Sequence, residues 1–182
     1  MTGATNLGLA AVALALLMVL GWWVTRKTTA ERASRPTALA RAELVYIEKL
    51  FRIRDPIRLV AKVDRVYRLP GGSLVVVELK TRWQDRPYLS DVIQLSAQRL
   101  AIEEQTGAAV EPFGFVSVLV PGRLGKARSH RVPLLDAGAL IRLHQRRDAI
   151  LAKRLTPSYA ASDAACRGCA LRSKCDRPSG GG

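Results

Sequence analysis

Asp64, Glu78 and Lys80 are the residues whose types and spacing point most directly to chemistry. Glu78-Leu79-Lys80 closes the apolar run Leu74-Val75-Val76-Val77, which reads as a buried strand. Side chains two apart on a strand share a face, so Glu78 and Lys80 project together at the strand's end. Asp64 stands upstream in Leu59-Val60-Ala61-Lys62-Val63-Asp64-Arg65-Val66-Tyr67, a second strand-like stretch. Pro70-Gly71-Gly72-Ser73 between the two has the composition of a hairpin turn. A hairpin here sets Asp64 beside Glu78. Two carboxylates and an ammonium at one place can hold a divalent cation and position a water. The plain alternative is a surface ion pair between Glu78 and Lys80.

The elements that must position these groups follow from the periodicity. Thr37 to about Leu50 carries Leu39, Ala42, Leu44, Tyr46, Ile47 and Leu50, a spacing that predicts an amphipathic helix. Phe51-Arg52-Ile53-Arg54 alternates as a short strand does. Strands are expected near residues 57–68 and 73–80. Tyr88 to Gln105 reads as a helix, with Ser90 or Asp91 at its start and Gly107 beyond its end. It carries Gln94 and Gln98, one turn apart. Phe113–Val120 reads as a strand that runs alongside the earlier ones after a helical crossover. His130–Leu135 reads as an edge strand, and Asp136 as the cap of a last helix reaching about Leu155. This order predicts an α/β fold with a mixed sheet flanked by helices.

The 182 residues carry a formal charge of +14, with a pI near 10.7, which suits a polyanionic partner such as nucleic acid or anionic lipid. Leu7–Val24 is an uncharged run of 18 residues that ends just after Trp22-Trp23 and is followed at once by Arg26-Lys27. Its length, its interfacial tryptophans and its basic flank predict a single membrane-spanning helix with the C-terminal domain on the cytoplasmic side. The three cysteines, Cys166, Cys169 and Cys175, are too few and too clustered for a secreted disulfide framework, which agrees with a reducing compartment. The expected organisation is a membrane anchor over residues 1–27, a tether over 28–36, a catalytic-type domain over 37–155 and a cysteine-containing tail over 156–182.

Val63-Asp64-Arg65-Val66, then Val77-Glu78-Leu79-Lys80-Thr81, then Gln94 fourteen residues on, resembles the PD-(D/E)XK nuclease superfamily. The closest likeness is to its RecB-type exonucleases, including CRISPR-associated ones that carry an iron–sulfur cluster. The resemblance implies a restriction-endonuclease-like core and hydrolysis of DNA, in preference to RNA, with Mg²⁺ or Mn²⁺. It implies Asp64, Glu78 and the Leu79 carbonyl as metal ligands, and Lys80 and Gln94 as further catalytic groups. It also implies an Fe–S cluster at Cys166, Cys169 and Cys175, where the residues alone suit Zn²⁺ nearly as well. Arg65, Arg82, Arg86 and Arg99 are the candidate nucleic-acid contacts, with Trp83 and Tyr88 in the same loop as Arg82 and Arg86.

Three departures from the family pattern stand out. Gln98 replaces the tyrosine of Gln-x-x-x-Tyr. No histidine lies on the expected first helix, where Glu43 or Glu48 could substitute, although a solvated helix-face glutamate is the plainer reading of either. No cysteine precedes Cys166, which leaves a fourth cluster ligand to Asp163, Asp176, a histidine, water or another chain. These departures support an alternative reading, a catalytically impaired nuclease fold that binds nucleic acid at a membrane.

Overall fold

A hairpin and a crossover helix organise the protein around the strand that carries Glu78. The structure, a computed structural model, describes residues 14–19, 22, 31, 35–122, 127–159, 165–166, 169 and 172–175. Two compact units divide the chain, Met1–Leu140 and Ile141–Gly182.

In the first unit, β1 (Glu43–Ile47), β4 (Arg65–Arg68), β5 (Leu74–Thr81), β6 (Phe113–Leu119) and β7 (Arg128–Pro133) form one sheet in the order β1-β4-β5-β6-β7. Only β5 and β6 run parallel, and helix α1 (Leu89–Thr106) makes the crossover between them. β2 (Leu50–Ile53) and β3 (Leu59–Lys62) form a separate antiparallel pair. Helix α1 packs on β2, β3 and β5. The mixed sheet flanked by helices agrees with the α/β expectation.

The period of two along β5 assigns its side chains to two layers. Leu74 and Val76 enter a cluster with Leu95, Ala101 and Ile102 of α1, Val116 and Val118 of β6, and Phe51 and Ala61 of the small sheet. Val75 and Val77 enter another cluster with Leu39, Ala42, Tyr67 and Phe115. Gly114 lets β6 approach closely, because a Cβ at that position would lie 3.0 Å from the Val76 carbonyl oxygen and 3.1 Å from its Cγ2. Gly72, at φ 92°, turns the β4–β5 hairpin, which Leu69 N closes by donating to Ser73 O at 2.8 Å.

Three sequence expectations are corrected. Residues 37–50 are not a helix. Thr37–Leu39 is a single 3-10 turn, and the chain then forms β1 and enters β2. The spacing of Leu39, Ala42, Tyr46 and Leu50 fits a helical period, but Leu44-Val45-Tyr46-Ile47 is a β-type run that finds a partner in β4. Glu48, at φ 50°, makes the turn that follows. Glu43 and Glu48 are therefore on no helix; they pair with Arg68 and Lys62. The strand expected over 57–68 is two strands, β3 and β4, broken at Val63-Asp64 and belonging to different sheets. Lys49 O accepts from Val63 N at 2.9 Å, and Asp64 O accepts from Glu48 N at 3.0 Å, so the β1–β2 turn pins this corner.

The last helix, α2 (Ala137–Leu151), begins at Asp136, whose Oδ1 accepts from Ala139 N at 2.6 Å, and it stops short of Leu155. Among the described residues no helix is long and apolar enough to cross a membrane. Most of the run Leu7–Val24 lies outside the described residues.

Candidate active site

The hairpin register brings the carboxylates together. Arg65 pairs with Val77 and Val66 with Val76, so the next step of the register places Asp64 opposite Glu78. The chain bends at Asp64, and its Oδ2 accepts from the backbone N–H of Leu79 at 2.7 Å. Asp64 is thereby fixed against the Glu-x-Lys strand by a charge-assisted hydrogen bond. Its Oδ1 takes no hydrogen bond among the described residues.

Glu78 and Lys80 follow Val76 on the face that α1 covers. Glu78 is 3% exposed, so its carboxylate requires partners. Gln94 Nε2 donates to its Oε1 at 2.7 Å, and Lys80 Nζ lies 2.8 Å from the same oxygen. Lys80 Nζ also donates to Gln94 Oε1 at 2.9 Å, which closes a three-membered ring of side chains. Gln98 Nε2 donates to Glu78 Oε2 at 2.8 Å and to the Lys62 carbonyl at 2.9 Å. Gln98 Oε1 is buried and has no hydrogen-bond partner among the described residues. One turn of helix separates the two glutamines, so a single helix face grips both oxygens of Glu78.

Gln98, noted in the sequence only as a departure from the family motif, turns out to support the site. At the tyrosine position of the family motif it keeps a polar hold on the carboxylate. Its helical spacing from Gln94 and its place in the motif were the signals.

The candidate nucleic-acid arginines are dispersed. Arg65 pairs with Val77 and therefore lies on the opposite face of the sheet from Glu78, where its Nη1 donates to Glu31 O at 3.5 Å. Arg99 pairs with Glu103 on α1 at 3.0 Å. Arg82 and Arg86 do lie in the loop that follows β5. Arg82 Nη2 is 2.7 Å from Asp91 Oδ2 and also donates to Arg86 O at 2.6 Å. Both guanidinium groups sit over the Tyr88 ring, at 4.3 and 5.2 Å from its centroid.

Asp91 also accepts from Tyr88 N at 2.8 Å, which secures the start of α1. Burial pushes the Asp91 carboxyl upward, but the Arg82 and Tyr88 hydrogen bonds outweigh this and hold it below the usual carboxylate range. Asp85 in the same loop bonds His130 Nε2 of β7 at 2.8 Å, and this pairing, chiefly, lowers its pKa.

Among the described residues no group of three or more His, Cys, Asp or Glu side chains is gathered for metal binding. Asp64 and Glu78 supply two carboxylates there. In the second unit, Cys169 and Cys175 are exposed and Cys166 is partly buried. Cys166 O accepts from Cys169 N at 3.2 Å, and Arg172 O accepts from Cys175 N at 3.3 Å. Asp163, Arg167, Asp176 and Arg177 lie outside the described residues.

Comparison with known proteins agrees with this arrangement. The family model of the PD-(D/E)XK nuclease superfamily matches residues 5–176. Among solved proteins, the crystal structure of SSO0001 is similar, with a TM-score of 0.50 and 19% identity over 91% of this chain and 70% of that one, a likeness of fold alone. No curated protein matches. A match across nearly the whole chain, on a mixed sheet whose hairpin joins Asp64 to Glu78 and Lys80, shows that the chain belongs to the PD-(D/E)XK nuclease superfamily.

Proposed function

We propose that this protein is a metal-dependent nuclease of the RecB-type branch that hydrolyses phosphodiester bonds of DNA. We propose further that Leu7–Val24 holds it to a membrane with the nuclease domain on the cytoplasmic side. The observation that carries the catalytic reading is the convergence of Asp64, Glu78, Lys80 and Gln94 at one strand end.

Asp64 and Glu78 would hold Mg²⁺ or Mn²⁺, with the Leu79 carbonyl as a third oxygen. The donor chemistry fits: every donor is oxygen, and Asp64 Oδ1 has no competing hydrogen bond. Magnesium commonly takes one or two carboxylates and keeps several waters. When bound, such an ion lowers the pKa of a coordinated water and offsets charge on the phosphate. Lys80 orients the attacking water and balances the negative charge that develops on the phosphoryl oxygens. Gln94 holds Lys80 and Glu78 in one geometry. Gln98 fixes the Glu78 carboxylate from the helix side, so the loss of the motif tyrosine leaves the acid supported.

For the tail, Cys166, Cys169 and Cys175 have the spacing of an Fe–S or Zn²⁺ site completed by a fourth ligand. Anaerobic absorbance and elemental analysis distinguish iron, zinc and neither. For the anchor, deletion of residues 7–24 should release the protein from membranes into the soluble fraction.

The test of the nuclease reading is a cleavage assay on single- and double-stranded DNA with Mg²⁺ or Mn²⁺. We expect cleavage that EDTA stops, and a fall of roughly 10²–10³-fold or more in Glu78→Ala. No cleavage by the wild-type chain on any substrate, with nucleic-acid binding retained, would establish the impaired binding module instead.

A further inference from the structure

Trp83 is 77% exposed, in the loop that leaves the Glu-x-Lys strand. It lies three residues after Lys80 in the chain, within about 10 Å even if fully extended. The loop around it is tightly held. Arg82 is tied to Asp91 of α1 and to the Arg86 carbonyl. Gln84 accepts from both the Tyr88 hydroxyl and Arg86 Nε. Asp85 is bonded to His130 of β7, and Arg128 lies 3.4 Å from it. Arg82 and Asp85 are therefore fixed to neighbouring elements, and Gln84 is held within the loop itself. The other aromatic ring of the loop, Tyr88, is occupied by two guanidinium groups. Trp83 itself makes no hydrogen bond or ring contact among the described residues.

A large apolar ring held in water on a rigid loop is preorganised for a flat partner, because the ordering cost has already been met. Its neighbours choose the partner. Arg86, which meets no carboxylate among the described residues, gives the loop positive charge beside the phosphodiester site, and the chain as a whole carries +14. Stacking on an aromatic ring needs a base face that is open, which a paired and stacked duplex does not offer.

We propose that Trp83 is a stacking platform for a nucleobase of an unpaired strand, placed within a few nucleotides of the scissile phosphate, and that it biases this site toward single-stranded or frayed DNA. The inference deepens the nuclease reading and rests on it for the identity of the site.

The test uses the full chain in detergent with Trp22→Phe and Trp23→Phe, so that Trp83 is the only tryptophan. Fluorescence is titrated with oligothymidylate and with a blunt duplex of equal length, in EDTA so that nothing is cleaved. We expect saturable quenching by the single strand. In the otherwise wild-type chain, anisotropy of labelled oligothymidylate should show affinity weaker by roughly tenfold in Trp83→Ala and restored in Trp83→Phe, with less than a twofold change for the duplex.

Single-strand affinity unchanged in Trp83→Ala would overturn the proposal even if cleavage proceeds normally. Quenching by anionic lipid vesicles but not by oligothymidylate would also overturn it, making Trp83 a membrane contact. Quenching and the affinity loss in a chain that never cleaves would uphold it while the nuclease reading falls.

Discussion

Each face of the sheet carries a buried glutamate among the described residues, and the two are held differently. On the α1 face, Glu78 is 3% exposed; on the other, Glu31 is 8% exposed, so burial does not distinguish them. Their partners do. Glu31 is gripped by both arms of Arg35, each at 2.9 Å, and by the Tyr67 hydroxyl at 2.6 Å. Arg35 in turn donates to the Ala42 carbonyl at 3.0 Å and sits 5.0 Å from the Tyr67 ring centroid. A permanent cation in bidentate contact closes that site, and it acts as a lock that fastens residues 31 and 35 to the domain. Glu78 is held by two neutral amides and by Lys80, whose side chain is 29% exposed. Asp64, whose Oδ1 takes no hydrogen bond among the described residues, stands beside it. A buried acid marks a reactive site when its partners can be rearranged and a second acid adjoins it, and marks a structural lock when a fixed cation saturates it.

The sharpest way to break this comparison is to neutralise each acid in turn. Glu78→Gln should reduce cleavage roughly 10²–10³-fold or more while the thermal midpoint changes little. Glu31→Gln should leave Arg35 without its counter-charge and cost about 3 kcal/mol of stability, read by denaturant unfolding. Cleavage per folded molecule should then be unchanged. A Glu31→Gln variant that folds normally but fails to cleave would mean that both faces serve the reaction.

Gln98 sharpens the comparison within the site. Gln98→Leu removes the donor from Glu78 Oε2 and from the Lys62 carbonyl, both otherwise poorly served. Leaving a buried acceptor unpaired costs about 1–3 kcal/mol. Cleavage should also fall, by roughly tenfold, since 1.4 kcal/mol of misplacement corresponds to that factor. Stability lost with cleavage intact would assign Gln98 to the core rather than to positioning Glu78.

The lock on the opposite face carries its own pH signature. Burial, with the hydrogen bond to Glu31, pushes the Tyr67 hydroxyl up from 10.0 to about 12. A raised folded pKa contributes stability that is fully present below pH 10 and is lost as pH rises toward 12. A rise of this size corresponds to about 2–3 kcal/mol. Glu31 behaves in the opposite sense. Burial raises it, the Arg35 and Tyr67 hydrogen bonds outweigh this, and its pKa ends below 4.5. Its contribution is present above pH 4.5 and is lost as pH falls below that. Unfolding midpoints measured against pH should show both limbs, and Tyr67→Phe should abolish the alkaline one.

What the sequence made legible was local. Gly71-Gly72, a period of two, and Asp91 with Gly107 at the ends of α1 are signals that the chain carries wherever it folds, and they set the hairpin register and the helix that carries Gln94. What it hid depends on partners far along the chain. Residues 43–47 have apolar spacing that serves a helix or a strand, and β4 decides between them. The bend at Val63-Asp64 follows from the Lys49 and Glu48 backbone hydrogen bonds, not from a glycine or proline. The Glu31–Tyr67 bond spans 36 positions, and no periodicity announces it. Arg82 had the composition of a phosphate contact, but Asp91 takes it, because a buried acid at a helix start outbids solvent for a nearby guanidinium.

Arg99 gives the smallest expected effect and the finest test of that last point. It lies one helical turn from Glu103, with its side chain 23% exposed, and the pair is an ordinary i,i+4 contact. Such pairs contribute about 0.3–0.5 kcal/mol. Arg99→Ala should therefore shift stability by no more than this. A residue that neutralises a phosphate would behave differently. Its loss would weaken binding to all sequences alike and reduce the slope of log affinity against log salt by about one. Binding isotherms for oligothymidylate and for duplex at several salt concentrations separate the two. An unchanged slope keeps Arg99 with the lock-like ion pairs of the fold. A reduced slope extends the nucleic-acid surface along α1 past Gln94 and Gln98, and the open side of the comparison would then include the helix as well as the strand end.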